Sequence, residues 1–232
     1  MIEKNCLIVD DEAGYQKRKF GTEIAEPLHN QGIKVNLILI DVTDKELQTD
    51  EKLDIEKLKD FISKSINGIK IDVVGCDYEL SSSIVNGLDV VKIIRDLRKK
   101  TKIFLYSGKY EVIIGNILND YKIDNPATKK SCIKSIKNIY SSNIEDFLER
   151  NDYPARFVGV LKNENDTIDD IFIKKIREYN EYQFKSCFPT FEGKLLSEIS
   201  DEIEKCSHSG QKFLEELIDQ TISYLIKTNT DE

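Results

Sequence analysis

Acidic, hydroxyl and ammonium side chains follow four short apolar runs in this sequence. The positions at which those runs end are Asp10 with Asp11 and Glu12, then Asp77, then Ser107 with Gly108, and finally Lys162. If the runs are parallel strands of one sheet, their carboxyl ends share an edge, which is where open α/β sheets bind ligands. Clustered carboxylates repel one another and normally require a hard cation with oxygen ligands. Mg²⁺ together with a phosphate group fits such a cluster.

Each of these features also has an ordinary structural explanation. An Asp pair after a strand is commonly a turn or a helix cap. Asp77 could be another cap, Ser107-Gly108 a simple turn, and Lys162 the start of a solvated loop. All of them fall at the same position of their units, however, and this coincidence favours one shared site.

The elements that would position these residues alternate between apolar strands and amphipathic helices. Continuous apolar strands separated by helices are typical of a parallel sheet covered on both faces. We therefore predict an α/β fold of five β-α units. The predicted strands are residues 6–10, 35–41, 71–77, 102–106 and 156–161, and the predicted helices between and after them are 13–31, 55–66, 88–97 and 168–182.

Two parts of the sequence depart from this alternation. Residues 110–150 are longer than one crossover requires and have helical spacing at 112–118 and 133–148. After residue 184 the strands stop, and two amphipathic helices are predicted at 192–205 and 211–227. We expect a domain at 1–183, with insertions near 43–70 and 110–150, and a helical extension at 184–232.

Composition excludes several classes of protein. With 40% apolar and 33% charged residues the chain is typical of a globular protein, and a net charge of −8 argues against a main role in gripping nucleic acid. No apolar run is long enough for a transmembrane helix, and the first residues do not form a secretory signal, so we expect a cytoplasmic protein without membrane insertion. Two histidines and five scattered cysteines indicate neither a zinc site nor a disulfide framework.

In these motifs the sequence resembles the receiver domain of two-component response regulators. The matching segments are Leu7-Ile-Val-Asp-Asp-Glu12, Asp77-Tyr-Glu-Leu80 with Gly87-Leu-Asp-Val-Val-Lys-Ile-Ile-Arg95, Leu105-Tyr-Ser-Gly108, and Val160-Leu-Lys162. The interval of 30 residues between Asp77 and Ser107 is usual for that family. The resemblance covers about residues 4–182 and implies a flavodoxin-like sheet of order 2-1-3-4-5.

The resemblance also implies a role for each matching residue. Asp77 would be the phosphoacceptor, and Asp10, Asp11 and Asp77 would hold Mg²⁺ directly or through water. Ser107 would be the switch hydroxyl and Lys162 the lysine that contacts the phosphate. The implied partners are a histidine kinase or phosphotransfer protein and an unknown downstream protein, with no enzymatic activity beyond self-phosphorylation and autodephosphorylation.

The sequence departs from the family pattern at several positions. Ser81 stands where a proline is usual, and Asn163 rather than proline follows Lys162. The interval from Ser107 to Lys162 is 55 residues, more than twice the expected length. The enlarged fourth-helix region and the C-terminal helices are expected to alter partner choice, and either could form a homodimer. For the C-terminal helices a packed cap or a dimer is favoured over DNA binding.

Other functions remain open at this level. The chain could be a phosphate sink or relay receiver without its own output, for example in a defence-type operon. It could be an interaction module that keeps the receiver fold and is never phosphorylated. A Mg²⁺-dependent phosphohydrolase is disfavoured, because the sequence lacks an Asp-x-Asp nucleophile motif at the first strand and a Gly-rich phosphate loop.

Overall fold

A computed structural model describes residues 2–80, 85–122, 125–163, 168–185 and 188–230 of the chain. Ser81, which stands where a proline is usual, and Cys187 lie outside these ranges. The other four cysteines are free thiols, and Cys6, Cys76 and Cys132 are buried. Among the described residues, no helix has both the length and the apolar character needed to cross a membrane.

The contacts group the chain into two compact units. The first contains residues 1–97 and 101–164, and the second contains residues 98–100 and 165–232. Helix 168–177 is grouped with the C-terminal helices, whereas the sequence assigned it to the first domain. The predicted division into a domain at 1–183 and a helical extension at 184–232 stays a prediction.

The first unit is built on a five-stranded parallel sheet. Its strands are β1 (Ile2–Asp10), β2 (Ile33–Asp41), β5 (Val73–Asp77), β6 (Lys102–Ser107) and β7 (Asp146–Glu149), in the order β2-β1-β5-β6-β7. A short hairpin of β3 (Gln48–Thr49) and β4 (Lys52–Leu53) stands apart from it. Counted along this sheet alone, the order is 2-1-3-4-5, so the predicted flavodoxin-like fold class is confirmed.

Helices cover both faces of this sheet. The helices of this unit are α1 (Ala13–Phe20), a π-helical turn (Gly21–Ala25), α2 (Glu26–His29), α3 (Ile55–Ser65), α4 (Gly87–Leu97), α5 (Tyr110–Lys122), α6 (Pro126–Ser141) and α7 (Tyr153–Asn163). One buried cluster lies under α3 and α4 and includes Leu58 and Val91, and another lies under α1, α2 and α7 and includes Leu28 and Phe157. The strand residues that contribute to these clusters are apolar, as expected for a parallel sheet covered on both faces.

The predicted fifth strand is wrong. Residues 156–161 belong to helix α7, and the fifth strand is β7, which lies within the segment predicted as helix 133–148. Tyr153, Phe157 and Leu161 are buried at intervals of four residues, which is the period of one helix face. Pro154 near the first turn of α7 also suits a helix start.

The second unit is a helical assembly around an aromatic cluster. Its helices are α8 (Ile168–Arg177), α9 (Leu196–Glu204) and α10 (His208–Thr230). Phe213 of α10 is buried, and its ring lies 5.2–5.3 Å from the rings of Phe184, Phe188 and Phe191. This packing anchors the first turns of α10 in the unit.

Candidate phosphate and metal site

Acidic and hydroxyl side chains converge at the carboxyl edge of the sheet. Asp10 ends β1, Asp77 ends β5 and Ser107 ends β6, and all three are buried. β1 and β5 are adjacent, and the connections run in opposite directions from them, so the edge between Asp10 and Asp77 is the topological switch point. The convergence that the sequence predicted for these three residues is therefore present in the fold.

Three carboxylates lie close enough to share a cation. One oxygen from each of Asp10, Asp11 and Asp77 lies within 4.8 Å of the other two. Burial, followed by the charge of Asp10, raises the pKa of Asp77 to about 7, although Arg150 opposes the shift. Burial also raises the pKa of Asp10. A cation at this position would stabilise both carboxylates in their ionised form.

Asp10 is held by a buried hydrogen-bond network. Its Oδ2 accepts hydrogen bonds from Gln16 Nε2 at 2.8 Å and from Tyr106 Oη at 2.7 Å, while its Oδ1 accepts one from the backbone N–H of Glu12 at 2.7 Å. Tyr153 of α7 donates in turn to Gln16 Oε1 at 2.5 Å. Two of these bonds occupy both in-plane lone pairs of Oδ2, which leaves one open lone pair, on Oδ1.

The donor set fits Mg²⁺. Carboxylate oxygens are hard ligands, and Mg²⁺ is commonly bound by one or two carboxylates, waters and a phosphate. Asp10 and Asp77 are fixed by the strand ends, and Asp11 follows Asp10 directly at a half-buried position. Asp10, Asp11 and Asp77 would therefore hold the ion, as the sequence predicted.

Arg150 supplies the positive charge of the site. It follows β7, and its backbone N–H donates to the carbonyl oxygen of Ser107 at 3.0 Å. Its guanidinium donates from Nη2 to Asp77 Oδ2 and from Nη1 to Glu12 Oε2. Burial works against the charged form, but Asp77, Asp10 and Glu12 together raise the pKa of Arg150. Arg150 Nε is buried and has no hydrogen-bond acceptor among the described residues.

Lys162 is not part of this cluster. It was expected to follow the fifth strand, but it lies in the last turn of α7 and is exposed. Lys162 stands nine positions after Tyr153, the first residue of α7, which corresponds to about 13 Å along the helix axis. The position that the sequence assigned to Lys162, directly after the fifth strand, is occupied by Arg150.

The Ser107 hydroxyl lies on the rim of the site and is already engaged. Its Oγ accepts a hydrogen bond from the backbone N–H of Lys109 at 2.9 Å and donates to Glu79 Oε2 at 3.5 Å. Lys109 Nζ lies 3.3 Å from Glu79 Oε1. A phosphoryl group on Asp77 would therefore compete with Glu79 for the Ser107 hydroxyl.

The sequence reasoning missed Arg150, Gln16 and Tyr106. Gln16 stands six residues after Asp10 in the first helix, and Tyr106 directly precedes Ser107 on its strand. Lys19 of α1, also missed, donates to the carbonyl oxygen of Arg150 at 2.8 Å and to Asn151 Oδ1 at 3.2 Å, and thereby fixes the loop after β7. A signal for Arg150 existed, because Phe147-Leu-Glu-Arg150 can be interpreted as a short strand that ends in a basic residue.

The raised pKa of Asp77 predicts a pH-dependent stability. An acid whose pKa is higher in the folded state than the ordinary value near 4 loses stabilisation as the pH rises from that value through the folded pKa. For Asp77 this window runs from about pH 4 to about 7. In EDTA we expect Asp77→Asn to be more stable than wild type at pH 8 by about 2 kcal/mol, or about 5 °C in Tm, with a smaller difference at pH 4.5.

Thermal unfolding followed by circular dichroism at the two pH values measures this effect. The control is Asp146→Asn, because Asp146 lies on β7 and is only half-buried. An equal Tm difference between Asp77→Asn and wild type at both pH values would contradict the charge explanation.

No family model and no curated protein matches the chain. Solved structures do match. The match to the receiver domain of the Francisella response regulator 1452 covers 68% of this chain and 97% of that domain. The sequence identity is 17% and the TM-score is 0.34. The HemR receiver domain from Leptospira biflexa is 12% identical, covers 70% and 97%, and has a TM-score of 0.38. A response regulator receiver domain from Clostridium thermocellum is 18% identical, covers 75% and 98%, and has a TM-score of 0.38.

All three are receiver domains. The fold follows from the strand order β2-β1-β5-β6-β7 of the sheet.

Proposed function

We propose that the chain is a phosphoacceptor protein of a two-component phosphorelay, which accepts a phosphoryl group on Asp77 with Mg²⁺ and acts through protein contacts. The observation that carries this proposal is the position of Asp77 at the switch point, within 4.8 Å of two other carboxylates and bonded to Arg150. A group-transfer site needs a carboxylate nucleophile together with positive charge for the incoming phosphoryl oxygens. Asp77 and Arg150 supply these two components.

The chemical step would transfer a phosphoryl group from the donor to a carboxylate oxygen of Asp77. A carboxylate oxygen of Asp77 attacks the phosphorus, and the bond from phosphorus to the donor breaks, so that the donor imidazole or acetate leaves with the electron pair. Bound Mg²⁺ would neutralise charge on the phosphoryl oxygens and on the carboxylates. The product is an aspartyl phosphate, and we expect one per chain rather than turnover of a substrate.

Protein side chains would stabilise the phosphoryl group after transfer. Arg150 Nε is a buried donor with no acceptor among the described residues, so it can donate to a phosphoryl oxygen without losing an existing hydrogen bond. The Ser107 hydroxyl can exchange Glu79 for a phosphoryl oxygen, which would draw the end of β6 toward Asp77. A local charge change of this kind can bias a two-state element.

A histidine kinase or a phosphotransfer protein would be the donor, and the output would be a contact with another protein. A phosphate sink or relay receiver would use the same chemistry without that output. A non-phosphorylated interaction module is the alternative that the Arg150–Asp77 ion pair favours, since a buried carboxylate with a permanent counter-ion can be purely structural.

Intact-protein mass spectrometry after incubation with acetyl phosphate and Mg²⁺ tests the proposal. We expect wild type to gain a single phosphate-sized mass that is absent in EDTA and absent in Asp77→Asn. A matched control is Asp72→Asn, because Asp72 is a buried acid that pairs with Lys4 and precedes β5 rather than ending it. A folded wild-type protein that gains no mass would support the interaction module, and a mass gain that survives in Asp77→Asn would place the acceptor elsewhere.

A further inference from the structure

Helix α10 continues well beyond the core of its unit. Phe213 and Leu214 are buried in the aromatic cluster, but every residue from Ile218 to Asn229 is exposed. These 12 residues correspond to about three turns and about 18 Å of helix. Isolated helices of this length are marginally stable in water, so packing of an apolar face is the usual source of their stability.

The exposed part of α10 carries an apolar seam. Ile218 and Ile222 are each 49% exposed and Leu225 is 53% exposed. With Asn229 they are spaced by four, three and four residues, which is the repeat that keeps one stripe of a helix facing a partner helix. In heptad notation Ile218 and Leu225 occupy d positions, while Ile222 and Asn229 occupy a positions.

The charge of this segment argues against several kinds of partner. Between Ile218 and Asn229 there is one acid, Asp219, and one base, Lys227, so the segment has no net charge. A surface of anionic lipid attracts clusters of Lys and Arg, and a strongly charged protein selects the opposite charge. An apolar helix face without net charge is best matched by a second apolar helix face that also has no net charge.

The identity of the seam residues favours an identical helix. Ile222 at an a position followed by Leu225 at a d position is the combination that prefers two parallel strands, and Ile218 at the preceding d position is the seam residue that departs from it. The g positions beside this seam are Thr221 and Thr228, so a parallel pair would place no like charges across it. We propose that the exposed part of α10 pairs in parallel with the α10 of a second copy of this chain, through Ile218, Ile222 and Leu225.

Sedimentation velocity on the full chain tests the pairing. Two heptads bury less than a standard interface, so we expect a weak dimer that forms as the concentration rises from about 5 to about 200 µM. Leu225→Glu should be monomeric throughout this range, whereas Gln220→Glu, on the outward f position of the same helix, should dimerise like wild type. Both positions are exposed, so neither substitution should change the Tm of the monomer, measured at about 5 µM. A wild type that stays monomeric, or a Leu225→Glu dimer, would overturn the proposal.

Disulfide trapping tests the orientation. In a parallel pair the two a positions face each other, so Ile222→Cys should cross-link to a dimer under mild oxidation on a non-reducing gel. Gln220→Cys, with its thiol on the outer surface, and wild type, with its native cysteines only, should not. A wild-type dimer in sedimentation together with no cross-link at residue 222 would rule out the parallel arrangement. Because Asp77 is not involved, either result is independent of phosphorylation.

Discussion

Arg150→Ala should slow phosphorylation of Asp77 by acetyl phosphate about 100-fold, which is the usual effect of removing one preorganised donor from a charged transition state. Arg150 donates to Asp77 Oδ2 and carries the buried Nε donor that has no acceptor among the described residues. Its loss removes the side-chain cation bonded to the acceptor carboxylate. The rate of mass gain at a fixed concentration of acetyl phosphate and Mg²⁺ measures the effect.

Two further variants separate this role from general effects. Lys162→Ala should phosphorylate at the wild-type rate within about twofold, because a solvent-exposed side chain away from the site contributes little charge stabilisation there. Arg150→Lys should retain part of the rate, since it keeps the charge and loses the forked geometry. A slow Lys162→Ala variant combined with a normal Arg150→Ala variant would reverse the assignment of the phosphate-contacting cation.

Gly87→Ala should destabilise the first unit by about 2 to 4 kcal/mol, because overpacking against backbone cannot be relieved by a rotamer change. A Cβ at Gly87 would lie 2.8 Å from Leu105 Cδ1 and 2.9 Å from Tyr78 Cα, and closer still to the carbonyl oxygen of Asp77. Gly87 begins α4, so this contact fixes the start of α4 against the end of β5. We expect the midpoint of thermal unfolding to fall by about 5 to 15 °C.

Gly14→Ala is the matched control. Gly14 lies in α1, and apart from its chain neighbours and the backbone of its own helix no atom lies within 4 Å of the position that its Cβ would take. Alanine is the better helix former, so this variant should be as stable as wild type or more stable by up to about 1 kcal/mol. Thermal unfolding followed by far-ultraviolet circular dichroism compares the two variants, and a Gly87→Ala protein with unchanged Tm would show that α4 can shift away from β5 at no cost.

Much of the fold could be predicted from the alternation of apolar and amphipathic segments. The first four strands are strongly apolar because helices cover both of their faces, and their order follows the predicted one. The fifth strand could not be recognised in this way. β7 is a four-residue edge strand in which only Leu148 is buried, so it lacks a continuous apolar run. The Phe-Val-Gly-Val-Leu segment of α7 is a continuous apolar run and therefore resembles a buried strand, but its buried residues follow the helical period.

The site residues that stand at the carboxyl end of a strand could be predicted from the sequence. Asp10, Asp77 and Ser107 end strands that were identified correctly, and the carboxylates of Asp10, Asp11 and Asp77 lie together as expected. Arg150 could not be assigned because it follows the strand that was misplaced. Gln16 and Tyr106 act on Asp10 from α1 and from β6, and such contacts depend on how the helix and the sheet pack rather than on any spacing along the chain.

The hydrogen bonds that hold Asp10 also bear on ion selectivity. Gln16 and Tyr106 occupy the lone pairs of Oδ2, so Asp10 can offer a cation one oxygen only. Ca²⁺ commonly recruits both oxygens of a carboxylate to reach six to eight ligands, whereas the smaller octahedral Mg²⁺ is satisfied by single oxygens and water. By occupying Oδ2 of Asp10, the uncharged side chains of Gln16 and Tyr106 would thus favour binding of Mg²⁺ over Ca²⁺.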